Sequence, residues 1–178
     1  MFRRAASRRP LTSNVRPDDM STDFTIQRAS TEDAQEVAVM VGELLAEIMK
    51  AIGVQAFNFD LADTISRLKD FINHEKYFVF VARTRDGNPA GFIALYESYA
   101  LYAEGAFGTI PELYVAPKYR TNELGLRLVS QAKSFGTSRG WTRLEVTTPP
   151  LPQFDRTLAF YEREGFFISG GRKLKVSL

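Results

Sequence analysis

A hairpin followed directly by a strand–helix–strand unit constrains this chain more than any other feature. The run Tyr77–Arg85 (YFVFVARTR) reads as a strand, Asp86–Pro89 (DGNP) as a turn, and Ala90–Ser98 (AGFIALYES) as the strand that pairs back. The next segment, GTIPELYVAP, is a strand from about Thr109 to Val115, stopped by Pro117. A helix over about Asn122–Arg139 follows, its apolar line set by Leu124, Leu128, Ala132 and Phe135 and its end marked by Gly140. Thr142–Thr148 (TRLEVTT) is then a strand. A hairpin pairs antiparallel, whereas strand–helix–strand predicts a right-handed parallel crossover. Both in one chain imply a mixed sheet, and exclude a plain doubly wound nucleotide fold.

The flanking elements fit that sheet. Phe24–Arg28 (FTIQR) alternates as a short strand. Ser30 with Asp33 resembles a capping box, and the following helix sets Ala34, Val37, Ala38, Val41, Leu44, Leu45 and Ile48 on one face, up to a break at Gly53. Asp60 caps a second helix that carries Leu61, Ile65, Leu68 and Ile72. Beyond the Pro-rich PPLPQ, a short helix spans about Arg156–Glu164, and GFFIS and RKLKVSL are read as the last two strands.

Composition narrows the chemistry. In 178 residues there is no cysteine and one histidine, so thiolate chemistry and the usual zinc or iron clusters are excluded, and no metal site is expected. No apolar run reaches the roughly 18 residues needed to cross a bilayer, so no membrane partner is expected. Five of the 23 basic residues (Arg3, Arg4, Arg8, Arg9 and Arg16) fall in the first 17 positions, leaving 18 against 21 acidic residues. The part that folds is mildly acidic, which argues against nucleic acid as a partner. Residues 1–19 read as an upstream extension or disordered tail, translation starting at Met20 and residues 20–178 forming one domain. An Arg-rich, acid-poor transit peptide is the alternative, and it would change a cytoplasmic setting to a mitochondrial one.

Two segments carry the chemistry: ELYVAPKYRTNELGLRLV, and FYEREGF some thirty residues later. Together with the element order from Phe24 to Val176, they resemble the GNAT superfamily of N-acetyltransferases. The resemblance implies an α/β acyl-CoA N-acyltransferase fold, a central mixed sheet of about six to seven strands flanked by about four helices. It also implies acetyl-CoA as co-substrate and direct acyl transfer to a primary amine. The phosphate loop maps to Arg120, Thr121, Asn122, Glu123, Leu124, Gly125 and Leu126. A loop opening a helix presents unsatisfied N–H groups and the positive dipole end to the pyrophosphate. Family loops often carry glycine where this chain has Thr121 and Glu123, whereas Gly125 meets the second small position.

An alkylammonium with a pKa of about 10.4 must lose a proton before attack, which calls for a base. Glu112, on the strand beside the reacting centre, is the candidate; the competing reading is a solvated or salt-bridged strand carboxylate. N–H groups near Leu113, Tyr114 and Val115 are candidate donors to the thioester oxygen. Tyr161 matches the family's usual proton donor to the departing thiolate, a phenol with a pKa of about 10 being protonated at neutral pH. Phe160 reads as core or as a wall for the pantetheine arm. Relatives often have Asn six residues before that Phe; here Phe154 stands there.

Among the remaining residues, His74 in NHEK reads as exposed and idle, and Trp141 as the cover of a helix–sheet seam. Glu97 and Glu104, in the aromatic stretch YESYALYAEGAFG, would either receive a cationic amine or belong to a hairpin edge or homodimer contact. The function read from the sequence is therefore an acetyl-CoA-dependent N-acetyltransferase acting on a small-molecule or peptide amine. Its alternative is a non-catalytic acyl-CoA-binding or regulatory module of the same fold.

Overall fold

The computed structural model describes residues 23–120, 122–170 and 173–176, so the tail at 1–19 and Thr121 lie outside it. Six strands form one mixed sheet, with β1 (Phe24–Arg28), β2 (Phe78–Thr84), β3 (Pro89–Ala100), β4 (Gly105–Ile110), β5 (Leu113–Val115) and β6 (Leu144–Val146). Four helices accompany them: α1 (Ala34–Ile52), α2 (Leu61–Asn73), α3 (Leu124–Ser138) and α4 (Asp155–Arg163). The sheet runs β1-β2-β3-β4-β6, with β5 paired to β3 beyond the end of β4. β2 and β3 form the expected antiparallel hairpin, and β4 and β6 the expected parallel pair across α3.

Local signals placed the helix ends. Ser30 and Asp33 close a reciprocal capping box, which opens first into a 3-10 turn at Thr31–Asp33 and then into α1. Gly53 ends α1 in the left-handed conformation, φ 69°, which costs a glycine nothing. The Asp60 carboxylate accepts the Asp63 N–H at 2.8 Å at the start of α2. Apolar side chains pack on both faces of the sheet. α3 and α4 cover Phe78, Phe80, Ile93, Leu95 and Ile110, while α1 and α2 cover Val79, Val81, Phe92, Ala94 and Tyr114. Trp141 does cover a seam, packing against Phe78 and Phe135, and it lies so close to Gly108 that a Cβ there would collide with the indole.

Three strand expectations are corrected. The run from Thr109 to Val115 is two strands, not one. Tyr96 pairs with Thr109 but Ile93 pairs with Leu113, so the run holds one residue more than its partner. This is a β-bulge at Pro111, whose imino nitrogen has no proton to give a ladder. The strand read over Thr142–Thr148 is only Leu144–Val146. GFFIS and RKLKVSL form no strand among the described residues, and Phe167, Ile168, Leu174 and Val176 are exposed. Alternation supplies a strand's pattern, but a strand also needs a partner, and β6 offers an edge only three residues long.

Candidate active site

The bulge opens the sheet. β4 is hydrogen-bonded to β3 on one side and β6 on the other, whereas β5 has β3 alone, so β5 and β6 part beyond Ile110 and Val146. The gap is a cleft of about 760 Å³ whose walls include Leu44, Glu47 and Ile48 from α1, Gly125 from α3 and Tyr161 from α4. Since α1 lies on one face and α3 and α4 on the other, the cleft passes through the sheet.

The bulge also decides which way Glu112 points. A one-residue slip reverses the faces of every side chain after it. Ile110 accordingly packs with α3, whereas Tyr114, four residues on, packs with α1 and α2. Glu112 shares parity with Tyr114, and its Oε2 accepts a hydrogen bond of 2.8 Å from the Tyr77 hydroxyl on the α1/α2 face. Burial pushes the Glu112 carboxyl above its ordinary value, opposed by the Tyr77 hydrogen bond. A carboxylate with raised pKa in a cleft is a better base than an exposed one.

Backbone donors lie alongside. Hydrogen bonds from Ala94 N to the Glu112 carbonyl and from Ala116 N to the Ala90 carbonyl, each 2.9 Å, fix the alternation in β5. Residues 112, 114 and 116 face β3, so Leu113 and Val115 turn their N–H groups towards the gap. The Tyr114 N–H is spent on the ladder, which corrects its place among the candidate donors; its hydroxyl donates to Glu43 at 2.9 Å.

The loop residues divide similarly. Arg120 is tied down, its Nε donating to the Val115 carbonyl at 2.8 Å and its Nη2 to the Glu47 carboxylate at 2.7 and 2.8 Å. Asn122 donates its N–H to the Tyr119 carbonyl. Glu123 takes a left-handed φ of 56° and gives α3 no side-chain cap, so the helix starts two residues later than the sequence pattern indicates. The Leu124 side chain is wholly buried, leaving only its amide for a ligand, whereas Gly125 and Leu126 line the cleft. A Cβ on Gly125 would make only ordinary contact with Phe160, at 3.4 Å, so the fold does not demand glycine there.

Tyr161 is 5% exposed and lies edge-on to both Phe160 and Phe166. Its hydroxyl has no hydrogen-bond partner among the described residues, and burial raises its pKa further above the ordinary phenol value. Arg156 and Arg163 also line the cleft and form no ion pair among the described residues. Sequence reasoning missed both, along with Tyr77. The two arginines sit seven apart on a short helix, a spacing that returns side chains to one face.

Glu97 is not free to receive an amine. Its carboxylate accepts from Trp141 Nε1 and Tyr99 and pairs with Arg139, and these hydrogen bonds hold its pKa low. His74 is exposed and bonded only to Asp70. Among the described residues no cluster suited to a metal is present, and no helix is long and apolar enough to cross a membrane.

The profile of the acetyltransferase (GNAT) family matches residues 43–166, and the chain belongs to that family. The aminoalkylphosphonate N-acetyltransferase of Salmonella typhimurium is 28% identical over 151 residues, covering 85% of this chain and 90% of the relative. An uncharacterized N-acetyltransferase of Bacillus subtilis, YhfO, is 28% identical over 143 residues, covering 80% and 89%. In fold, the chain resembles an aminoglycoside acetyltransferase from an uncultured soil metagenomic sample, solved with sisomicin, at TM-score 0.69 and 17% identity over 87% of this chain and 96% of that one. It also resembles a predicted acetyltransferase from Clostridium acetobutylicum, solved with acetyl-CoA, at TM-score 0.68 and 11% identity over 87% and 96%. Family and relatives together make the chain an acyltransferase.

Proposed function

We propose that this protein transfers an acetyl group from acetyl-CoA to a primary amine by direct attack within a ternary complex, residues 20–178 acting as one catalytic domain. The cleft through the sheet carries the reading. It brings together a half-buried carboxylate of raised pKa, two outward strand N–H groups, an uncapped helix start and a buried phenol.

The thioester supplies an activated acyl carbon and a good leaving group. Its phosphates suit the side of the cleft bearing the first-turn amides of α3, Gly125, Arg156 and Arg163, where dipole and cations both favour an anion. The amine enters from the α1/α2 face, where Glu112 stands. The ammonium first gives one proton to solvent, and Glu112 takes the second from the neutral amine as nitrogen bonds to the carbonyl carbon. The N–H groups of Leu113 and Val115 stabilise the charge that builds on the carbonyl oxygen. As the carbon–sulfur bond breaks, Tyr161 gives its proton to the sulfur, and solvent returns both side chains to their starting states.

Free-thiol release, measured with amino acids, polyamines, aminoglycosides and protein lysines as acceptors, tests this reading. We expect release with one class, and a loss of about 10²–10⁴ in turnover in Glu112→Gln, the usual worth of a general base. Tyr161→Phe should lose turnover while acetyl-CoA affinity stays within about twofold. Binding of acetyl-CoA by calorimetry with no thiol release from any class would instead identify a binding module.

A further inference from the structure

Tyr77 is held more firmly than a surface tyrosine at a strand entrance needs to be. It precedes β2, where register places it opposite Tyr96, and the two rings stack at 6.1 Å with 11° between their planes. Phe71 of α2 packs against it as well, at 5.6 Å with the rings tilted by 46°. Its hydroxyl reaches a single partner, Oε2 of Glu112. Burial and the neighbouring carboxylate keep the phenol protonated at any working pH, so it acts only as a donor. Oε1 of Glu112 has no hydrogen-bond partner among the described residues. Glu47, Arg120, Tyr114 and Tyr161 share the cleft walls with Glu112, as do Glu123, Arg156, Arg163 and Glu164, none of which is bonded to it among the described residues, and Tyr96 backs Tyr77. Glu47 and Arg120 neutralise each other, and Tyr114 is bonded to Glu43, so Tyr77 is the group that touches the carboxylate.

We propose that Tyr77 is a positioning residue for acyl transfer: packed against Tyr96 and Phe71, its hydroxyl fixes Oε2 of Glu112 and leaves Oε1 to receive the amine's proton. A carboxylate free to rotate would present either oxygen in several orientations, and general-base catalysis needs the acceptor atom within hydrogen-bond reach of the proton it removes. This inference rests on the catalytic role given to Glu112, and the test separates the two.

The experiment compares Tyr77→Phe, Glu112→Gln and the double variant in the full chain, using the acceptor found by thiol release. A donor to a carboxylate lowers its pKa, so its loss should raise that pKa and move the acidic limb of kcat/KM to higher pH by about one unit. Turnover at neutral pH should fall by about tenfold, with KM for acetyl-CoA unchanged. In the Glu112→Gln background, Tyr77→Phe should cost less than about twofold, since the partner it acts through is gone. Carboxyl carbon NMR titration of the chain without substrates reads the same shift independently of turnover. An unmoved limb and an unmoved Glu112 titration in a folded Tyr77→Phe, with Glu112→Gln crippled, would overturn the role of Tyr77 alone. A fully active Glu112→Gln would overturn both roles, and a Tyr77→Phe penalty persisting undiminished in the double variant would show that Tyr77 does not act through Glu112.

Discussion

The helices on the two faces of the sheet begin differently. On one face, α1 is entered through the Ser30–Asp33 box, with Asp33 also holding Arg83 of β2, and α2 is capped by Asp60. On the other, α3 starts at Glu123 and α4 at Phe154, neither with a side-chain cap. A helix start leaves N–H groups without intrahelical partners, and a protein normally satisfies them with its own side chains or leaves them to water. Here the two starts without a side-chain cap are the two that line the cleft, and α3 is the more open of them, since in α4 the Asp155 and Thr157 N–H groups are bonded to the Pro152 and Phe154 carbonyls. Closed ends hold the scaffold, and the open ends are where the proposed function seats the acyl donor.

That contrast can be broken from either side. Gly125→Asp places a carboxylate against the open start of α3 and should weaken acetyl-CoA binding by more than tenfold, or about 1.4 kcal/mol, by calorimetry. The melting temperature should barely move, since a Cβ at that position meets only ordinary contacts. Ser30→Ala should do the reverse, costing about 1 kcal/mol of stability in urea denaturation for the lost cap while acetyl-CoA affinity stays unchanged. Glu123→Gly should have the smallest effect. Glycine accepts the left-handed φ freely, and removing a negative charge beside the helix start should tighten acetyl-CoA binding by at most about threefold, within the 0.3–1 kcal/mol such a charge is worth. A Ser30→Ala that weakened binding, or a Gly125→Asp that did not, would erase the distinction between the two faces.

The closed ends were the legible ones. Ser30, Asp33, Asp60, Gly53 and Gly140 act within a few residues of their own positions, so their spacing in the sequence already states their contacts. The hairpin and the parallel crossover follow equally from local pattern. The open cleft was only half legible. Glu112, Gly125 and Tyr161, singled out by the motif resemblance, all line one gap. The Pro111 bulge was hidden because TIPELYV alternates acceptably as a single strand, and only the partner strand shows that one residue is surplus. The Tyr77–Glu112 bond spans 35 positions and depends on that surplus residue, so no local spacing announces it. Glu97 was left between two readings for the same reason, its partners Trp141 and Arg139 lying more than forty positions away.

The side of the sheet on which Glu112 stands is a matter of parity. Whatever side chain occupies position 111, the extra backbone unit keeps Glu112 and Tyr114 turned towards α1. Were the run to pair regularly at its present length, with Pro111 opposite Ala94, Glu112 would turn to the opposite side, away from Tyr77. A point substitution leaves the residue count unchanged, and with it the side of the sheet on which position 112 stands. If Glu112 is the base proposed above, the residues lining the acceptor side can drift towards new amines one exchange at a time, while the base stays where the count of residues has put it.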